Sequence, residues 1–446
     1  MFKKMRFSIP FSLALILFLG LSVSANFDKK WIKVSQKDSK HTEVATEMLM
    51  RKCKDCHTSH TEYPFYYNLP FIKDLIDQDI KKGLAYFNME IEVFNKEFDS
   101  EISSTSLNKI KSVLENGSMP PLQYKLMHWD SHFSDTEKKI VTTWIKDLSN
   151  SDFIPIPSKE DMELDQNLVL LGEKLFSDTR LSRDNTISCA SCHDLAKGGT
   201  DQMQFSTGVA GGHGRINSPT VFNSVFNIKQ FWDGRAEDLI AQASGPVHNP
   251  LEMGSNWDEV VAKLSADADY IVLFESAFGS QEITGEKVAA AIAEFEKSLV
   301  TPDNKFDLYL KGNDYALSDK EKEGFELFKK YNCNNCHLGV AVGGNSFQKM
   351  GVYRDYFADR AGGLNGLKQM PLAKEDLGRF NVTRAEVDRH VFKVPTLRNI
   401  KKTFPYLHDG TIRSLSRTVE IMGEYQVGKT IPKEDVTKIV LFLKTL

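Results

Sequence analysis

Apolar residues recur at helical spacing in six stretches, which fall into two sets. Three precede short cysteine-bearing segments: His41 to Arg51, Leu164 to Phe176, and Ser318 to Lys330. Three more close long irregular regions: Ser134 to Leu148, Gly285 to Leu299, and Lys433 to Leu446. Ser318 with Glu321, and Ser134 with Glu137, have the spacing of a capping box, in which side chain and backbone satisfy each other at a helix start. Runs of alternating apolar and polar residues are few, so β-structure is expected to be minor. The same unit is therefore read three times: helix, cysteine segment, variable loops, closing helix. Ile154-Pro155-Ile156-Pro157 and Thr301-Pro302-Asp303 carry the breakers expected at the two joins.

The cysteines give the repeat its chemistry. All six lie in Cys53-Lys54-Asp55-Cys56-His57, Cys189-Ala190-Ser191-Cys192-His193 and Cys333-Asn334-Asn335-Cys336-His337, three copies of C-x-x-C-H. From this chain's own frequencies, chance predicts on the order of 0.002 such matches. Two thiols at this spacing form thioethers to the haem vinyl groups, and the adjacent histidine supplies the proximal nitrogen to iron. A zinc site needs four converging ligands, and a redox cysteine pair has no need of a histidine beside it three times over. The cofactors expected are three covalently bound c-type haems. The fold class expected is mainly α, with three cytochrome c-like haem domains in tandem and long irregular loops.

The 446 residues are 41% hydrophobic and 26% charged, a globular composition, and with a net charge of -4 there is no basic excess, so no nucleic-acid partner is expected. Lys3, Lys4 and Arg6 precede a mostly apolar run, Ile9 to Val23, and Ser22-Val23-Ser24-Ala25 resembles a cleavage site. Residues 1–25 are thus expected to be a signal peptide leading to the periplasm. An uncleaved anchor is the alternative, although the run is shorter than the roughly 20 residues a spanning helix needs. Cleavage would remove three positive charges and no acids, leaving a more acidic chain that a basic partner surface would attract. The domains expected are 26–155, 156–302 and 303–446.

Residues 165–446 resemble the bacterial di-haem cytochrome c peroxidase family. The matching strings are Leu171-Gly172-Glu173-Lys174-Leu175-Phe176, Asn217-Ser218-Pro219-Thr220-Val221, Gln230-Phe231-Trp232-Asp233-Gly234-Arg235-Ala236, Val394-Pro395-Thr396-Leu397-Arg398-Asn399 and Tyr406-Leu407-His408-Asp409-Gly410. The resemblance implies a peroxidatic haem on His193 in the middle domain. It implies a high-potential electron-transfer haem in the last domain, with His337 and Met422 as axial ligands; Met350 is the rival methionine. Glu252 matches the family's distal glutamate, a group able to take a proton from one peroxide oxygen and deliver it to the other. Gln242 matches the glutamine that helps hold peroxide, and Trp232 the tryptophan between the haems. Asn217, by its side chain, and Thr403 and Pro405, by their carbonyls, match the oxygen ligands of a calcium ion. Hydrogen peroxide as substrate, a cytochrome c or other small redox protein as electron donor, and a homodimer are implied as well. A retained anchor would suit quinol instead.

Many family members carry, about sixteen residues after the proximal histidine, a second histidine that blocks the peroxidatic iron until the other haem is reduced. Here that position is Val209, which cannot ligate iron; His213 follows in a glycine-rich loop. An open site needing no reductive unblocking is expected.

Residues 41–150 resemble a separate haem-binding module, through Cys56-His57-Thr58-Ser59-His60 followed by Tyr63-Pro64-Phe65-Tyr66, Gly117-Ser118-Met119-Pro120-Pro121, and Trp144. Met119 is the expected sixth ligand of its haem, with His60, His128 and His132 as competing donors. Gly423-Glu424-Tyr425-Gln426-Val427-Gly428-Lys429-Thr430 fits the phosphate-loop pattern but lacks the strand before and the helix after that such a loop requires. The competing functions are a multi-haem electron carrier, against which Glu252 and Gln242 argue, and oxidative modification of a protein. Relatives performing the latter use a tyrosine where this chain has Met422.

Overall fold

The computed structural model describes residues 40–94, 102–128, 131–148 and 153–446. The expected signal peptide lies outside these residues. Among the described residues, no helix is long and apolar enough to cross a membrane.

The fold is mainly helical. In the N-terminal region, helix α1 (Lys40–His57) packs against α2 (Ile72–Tyr86) and the closing helix α4 (Asp135–Leu148), while α3 (Ser104–Asn116) completes the layer. Ala45, Leu49, Leu107, Ile110, Val141 and Trp144 are buried between them. Helix α1 runs further than the hydrophobic pattern predicts, through Cys53 to His57, because no glycine or proline interrupts Lys52–His57. Helix α3 starts where the Ser103 hydroxyl accepts from the Ser106 N–H at 3.1 Å and stops at Gly117, in the left-handed region at φ 63°.

In the middle region, α5 (Gln166–Phe176) packs along the closing helix α7 (Gly285–Ser298), with α6 (Leu239–His248) beside it. In the C-terminal region, α8 (Asp319–Lys330) packs along the closing helix α10 (Lys433–Leu443), joined by the shorter α9 (Leu415–Met422). These two pairs share one device. A Cβ on Gly172 would stand 1.9 Å from the Ala291 carbonyl oxygen, and one on Gly324 would stand 2.0 Å from that of Lys438. Both helices therefore cross their closing partner at a glycine, backbone against backbone. The Ser318–Glu321 box forms as the spacing predicts, with the Ser318 N–H donating to Glu321 Oε2 at 2.8 Å.

Strand content is small. β1 (Phe347–Lys349) pairs antiparallel with β2 (Val391–Lys393), Phe347 opposite Lys393. The proline-bearing segment near residue 155 is held against the C-terminal region. Phe153 joins Phe306 and Phe325 in its core, the Ile156 N–H donates to Asp307 Oδ1, and Arg398 Nη2 donates to the Ile154 carbonyl at 3.2 Å.

Candidate active site

Each C-x-x-C-H histidine is oriented in the same way. The Nδ1 atoms of His57, His193 and His337 lie 2.8, 3.2 and 3.3 Å from the carbonyls of Phe87, Gly199 and Val342. A carbonyl partner fixes the Nδ1–H tautomer and leaves Nε2 as the basic nitrogen, which is how a metal-ligating histidine is held. Burial lowers the ionisation of all three imidazoles and so favours the neutral form, His337 down to about 4. Burial also pushes the thiols up, to about 12 for Cys53, Cys189 and Cys333. Such cysteines are poor thiolates. They suit thioether attachment better than a thiolate metal site or a redox pair, so the residues fit c-type haem.

The middle motif opens onto a cavity of about 540 Å³, within the size range of sites that hold an organic cofactor. Cys189, Cys192 and His193 line it together with Gln242, Glu252 and Trp232, so the structure brings the expected peroxidatic residues to one place. Helix α6 places Gln242 one turn after its Asp238 cap and ends at Asn249. A tight turn follows, closed by the Leu251 N–H donating to Asn249 Oδ1, and the Asn249 amide donates to Glu252 Oε1 at 2.7 Å. Burial raises the Glu252 carboxyl above its ordinary range, opposed by the Arg235 charge and by the Asn249 bond.

The Val209 loop braces this turn from behind. The Val209 N–H donates to the Glu252 carbonyl at 2.8 Å and its side chain is 2% exposed. Gly208 lies so close beneath the turn that a Cβ would meet the Leu251 carbonyl oxygen at 2.1 Å. His213 is exposed, with its Nδ1 beside the Thr207 hydroxyl at 3.3 Å. Gly208 and Gly214 line the cavity, whereas Val209 and His213 stand outside its wall.

Trp232 joins the middle and C-terminal regions. Its Nε1–H donates to the Asn217 carbonyl at 2.9 Å, and its ring meets those of His408 and Phe392 edge-on. The Asn217 N–H donates to the His408 carbonyl at 2.7 Å, which sets Asn217 against the loop carrying Thr403 and Pro405. The Asn217 amide nitrogen is occupied by the Met203 and Gln204 carbonyls.

Behind Trp232 lies a buried polar network that sequence reasoning missed. The Arg360 guanidinium, fully buried, donates to Asp376 and Asp409; His408 Nε2 lies 2.8 Å from Asp376 Oδ1, and the Tyr356 hydroxyl donates to Asp409 Oδ2. Its one local signal is the string Tyr406 to Gly410, which includes His408 and Asp409 but not their partners.

Met422 ends α9 and leads into a π-helical turn, Gly423–Val427. Met422 and Met350 both pack on the cluster of Ile421, Tyr425, Tyr406 and Phe392. The phosphate-loop pattern falls on that π-turn and on Gly428 at φ 71°, with no strand before it. In the N-terminal region a smaller cavity is lined by Cys53, Cys56, His57 and Met119. None of the competing histidines lines this cavity: His128 stacks on Tyr124, which is part of its wall, the His60 ring faces Glu90, and His132 is exposed.

Comparison with known proteins agrees with this geometry. A family model described as di-haem cytochrome c peroxidase matches residues 166–315, and one described as a haem-binding domain matches residues 13–147. The chain is 42% identical over 424 residues to the cytochrome c peroxidase Ccp of Escherichia coli K12, covering 92% of this chain and 88% of that protein. It is 48% identical over 276 residues to the cytochrome c551 peroxidase of Nitrosomonas europaea, covering 62% of this chain and 78% of the relative. Among solved structures, a MauG-like protein associated with microbial copper homeostasis superposes with a TM-score of 0.57 at 27% identity, over 67% of this chain and 94% of its own. The chain belongs to the di-haem cytochrome c peroxidase family and carries an additional N-terminal haem-binding domain.

Proposed function

We propose that the protein is a peroxidase reducing hydrogen peroxide to two waters, with two electrons taken singly from a reduced donor and two protons. The observation that carries this reading is the placement of Glu252 and Gln242 in the same cavity wall as His193 and its two cysteines. A haem attached through Cys189 and Cys192, with His193 on its iron, would supply the redox chemistry on peroxide. Glu252 takes the proton from one peroxide oxygen and returns it to the other, and its raised carboxyl suits a group that must do both. Gln242 holds the substrate in place. Asn249 fixes the carboxylate's orientation, and the Val209 loop keeps the turn rigid.

With Val209 buried behind the turn, the site is read as open without prior reduction of another haem. Two further c-type haems would be held by His57 with Met119 and by His337 with Met422, and Trp232 would carry electrons between the C-terminal and middle haems. Asn217, Thr403 and Pro405 would hold one calcium ion by oxygen atoms. The domains are read as 26–155, 156–302 and 303–446, the location as the periplasm, the donor as a small cytochrome c, and the assembly as a homodimer. Steady-state peroxide reduction by Glu252→Gln tests the central step. Turnover should fall by about 10² to 10⁴, the range of general acid–base contributions, while the haem spectra remain those of the parent. Activity retained in that variant would overturn the assignment.

A further inference from the structure

The N-terminal region is seated on the third haem-attachment motif itself. Asn108 Nδ2 donates to the Asn334 carbonyl at 2.8 Å, and the Ser112 hydroxyl donates to Asn332 Oδ1 at 2.9 Å. Asn335 Nδ2 donates to the Tyr86 hydroxyl at 2.8 Å. Asn334 and Asn335 are the two central residues of Cys333-Asn334-Asn335-Cys336-His337, so the contact is made at the point where a haem would be attached.

The contact is anchored by a buried cation. Lys109 is 1% exposed, and its ammonium donates to the Tyr86 carbonyl at 2.7 Å, to Glu92 Oε2 at 2.9 Å and, across the junction, to Gln348 Oε1 at 2.9 Å. A lysine removed from water in this way needs a charged partner and further acceptors, and it has both. The junction is thus specified by its residues.

One side chain spans it. Tyr86 lines the cavity that holds Cys53, Cys56 and His57, and its hydroxyl reaches Asn335, covalently next to Cys336. The next residue, Phe87, accepts from His57 Nδ1 at 2.8 Å. A path of covalent bonds with only two hydrogen bonds therefore runs from His57 through Phe87, Tyr86 and Asn335 to Cys336.

We propose that Tyr86 is the electronic bridge between the haem held by His57 and the haem held by His337. The inference adds a route to the peroxidase reading and rests on it for the presence of the haems. With haems attached at His57 and His337, the bridge would pass one electron from the ferrous to the ferric haem, one iron being oxidised as the other is reduced, and an external one-electron reductant would restore the first. Tyr86 changes neither its oxidation state nor its protonation. Burial pushes its ionisation well above the ordinary range, so the phenol stays neutral.

The test uses the haem-loaded protein without peroxide. Less than one equivalent of the methyl viologen radical is generated by a pulse, and electron redistribution between the two haems is followed by absorbance and by rapid-freeze EPR. Haem midpoint potentials are measured in parallel, so that driving force is known for each protein. Tyr86→Phe keeps the ring and removes only the bond to Asn335, whereas Asn108→Ala removes a junction bond that is off the path. The expected result is an order-of-magnitude slowing in Tyr86→Phe at unchanged potentials, with the parent rate in Asn108→Ala. Tyr86→Phe at the parent rate would overturn the proposal, as would equal slowing in both variants. Because no peroxide is consumed, a failure here is distinct from a failure of Glu252 to support turnover.

Discussion

The Asn249 side-chain amide donates to Glu252 Oε1 at 2.7 Å across the turn that closes helix α6. One residue thus ends the helix, shapes the turn through its Oδ1, and orients the carboxylate that faces the cavity. The bond also favours the ionised form of Glu252 against the burial that raises it. Asn249→Ala should therefore displace the acid limb of the pH profile of kcat/KM to higher pH. It should also lower turnover by about 10- to 150-fold, the equivalent of the 1.5–3 kcal/mol typical of a hydrogen bond to a charged group. A pH series of steady-state rates for the parent and the variant measures both effects.

Arg360 and Asp376 form the second structural commitment. Burial alone would raise the Asp376 carboxyl, but hydrogen bonds from His408 and Arg360 overcome it and hold the group well below the usual carboxylate range. A depressed folded-state value stabilises the fold above the unfolded-state value, and that stability is lost as pH falls through and below the ordinary carboxylate range. Asp376→Asn should cost about 3 kcal/mol, the lower end of the usual penalty for breaking a buried ion pair, because Arg360 keeps its bond to Asp409. The difference between parent and variant should shrink on acidification. Denaturant titrations at neutral and acidic pH check both the magnitude and the sign.

Met119 lines the N-terminal cavity with His57, whereas His60, His128 and His132 do not. Met119→Ala should abolish the near-infrared methionine-to-iron band contributed by this domain. An unchanged band would exclude Met119 as a ligand.

What the sequence disclosed was what repeats locally. Three C-x-x-C-H motifs, two capping boxes and three amphipathic closing helices are all patterns within fewer than twenty residues, and each appears in the structure near its expected place. Helix α1 extends beyond the amphipathic pattern, through the cysteines to His57, because those residues contain no helix breaker. The Arg360 network was invisible for a different reason. Its members, at positions 356, 360, 376, 408 and 409, come together only through tertiary packing and share no spacing. The Tyr86–Asn335 bond joins residues 249 apart in the chain, and an asparagine inside C-x-x-C-H has no reason to be singled out until its partner is in view. Glu252 became legible only through family resemblance, since a lone glutamate after a proline resembles any loop carboxylate.

Peroxide reduction at Glu252 requires an accessible haem beside it, and an optical and EPR titration of the fully oxidised, haem-loaded protein with hydrogen peroxide tests this most directly. A high-spin ferric signal that peroxide consumes is the predicted result, since Val209 and His213 both stand outside the cavity wall. Low-spin signals alone, unmoved by peroxide, would contradict it.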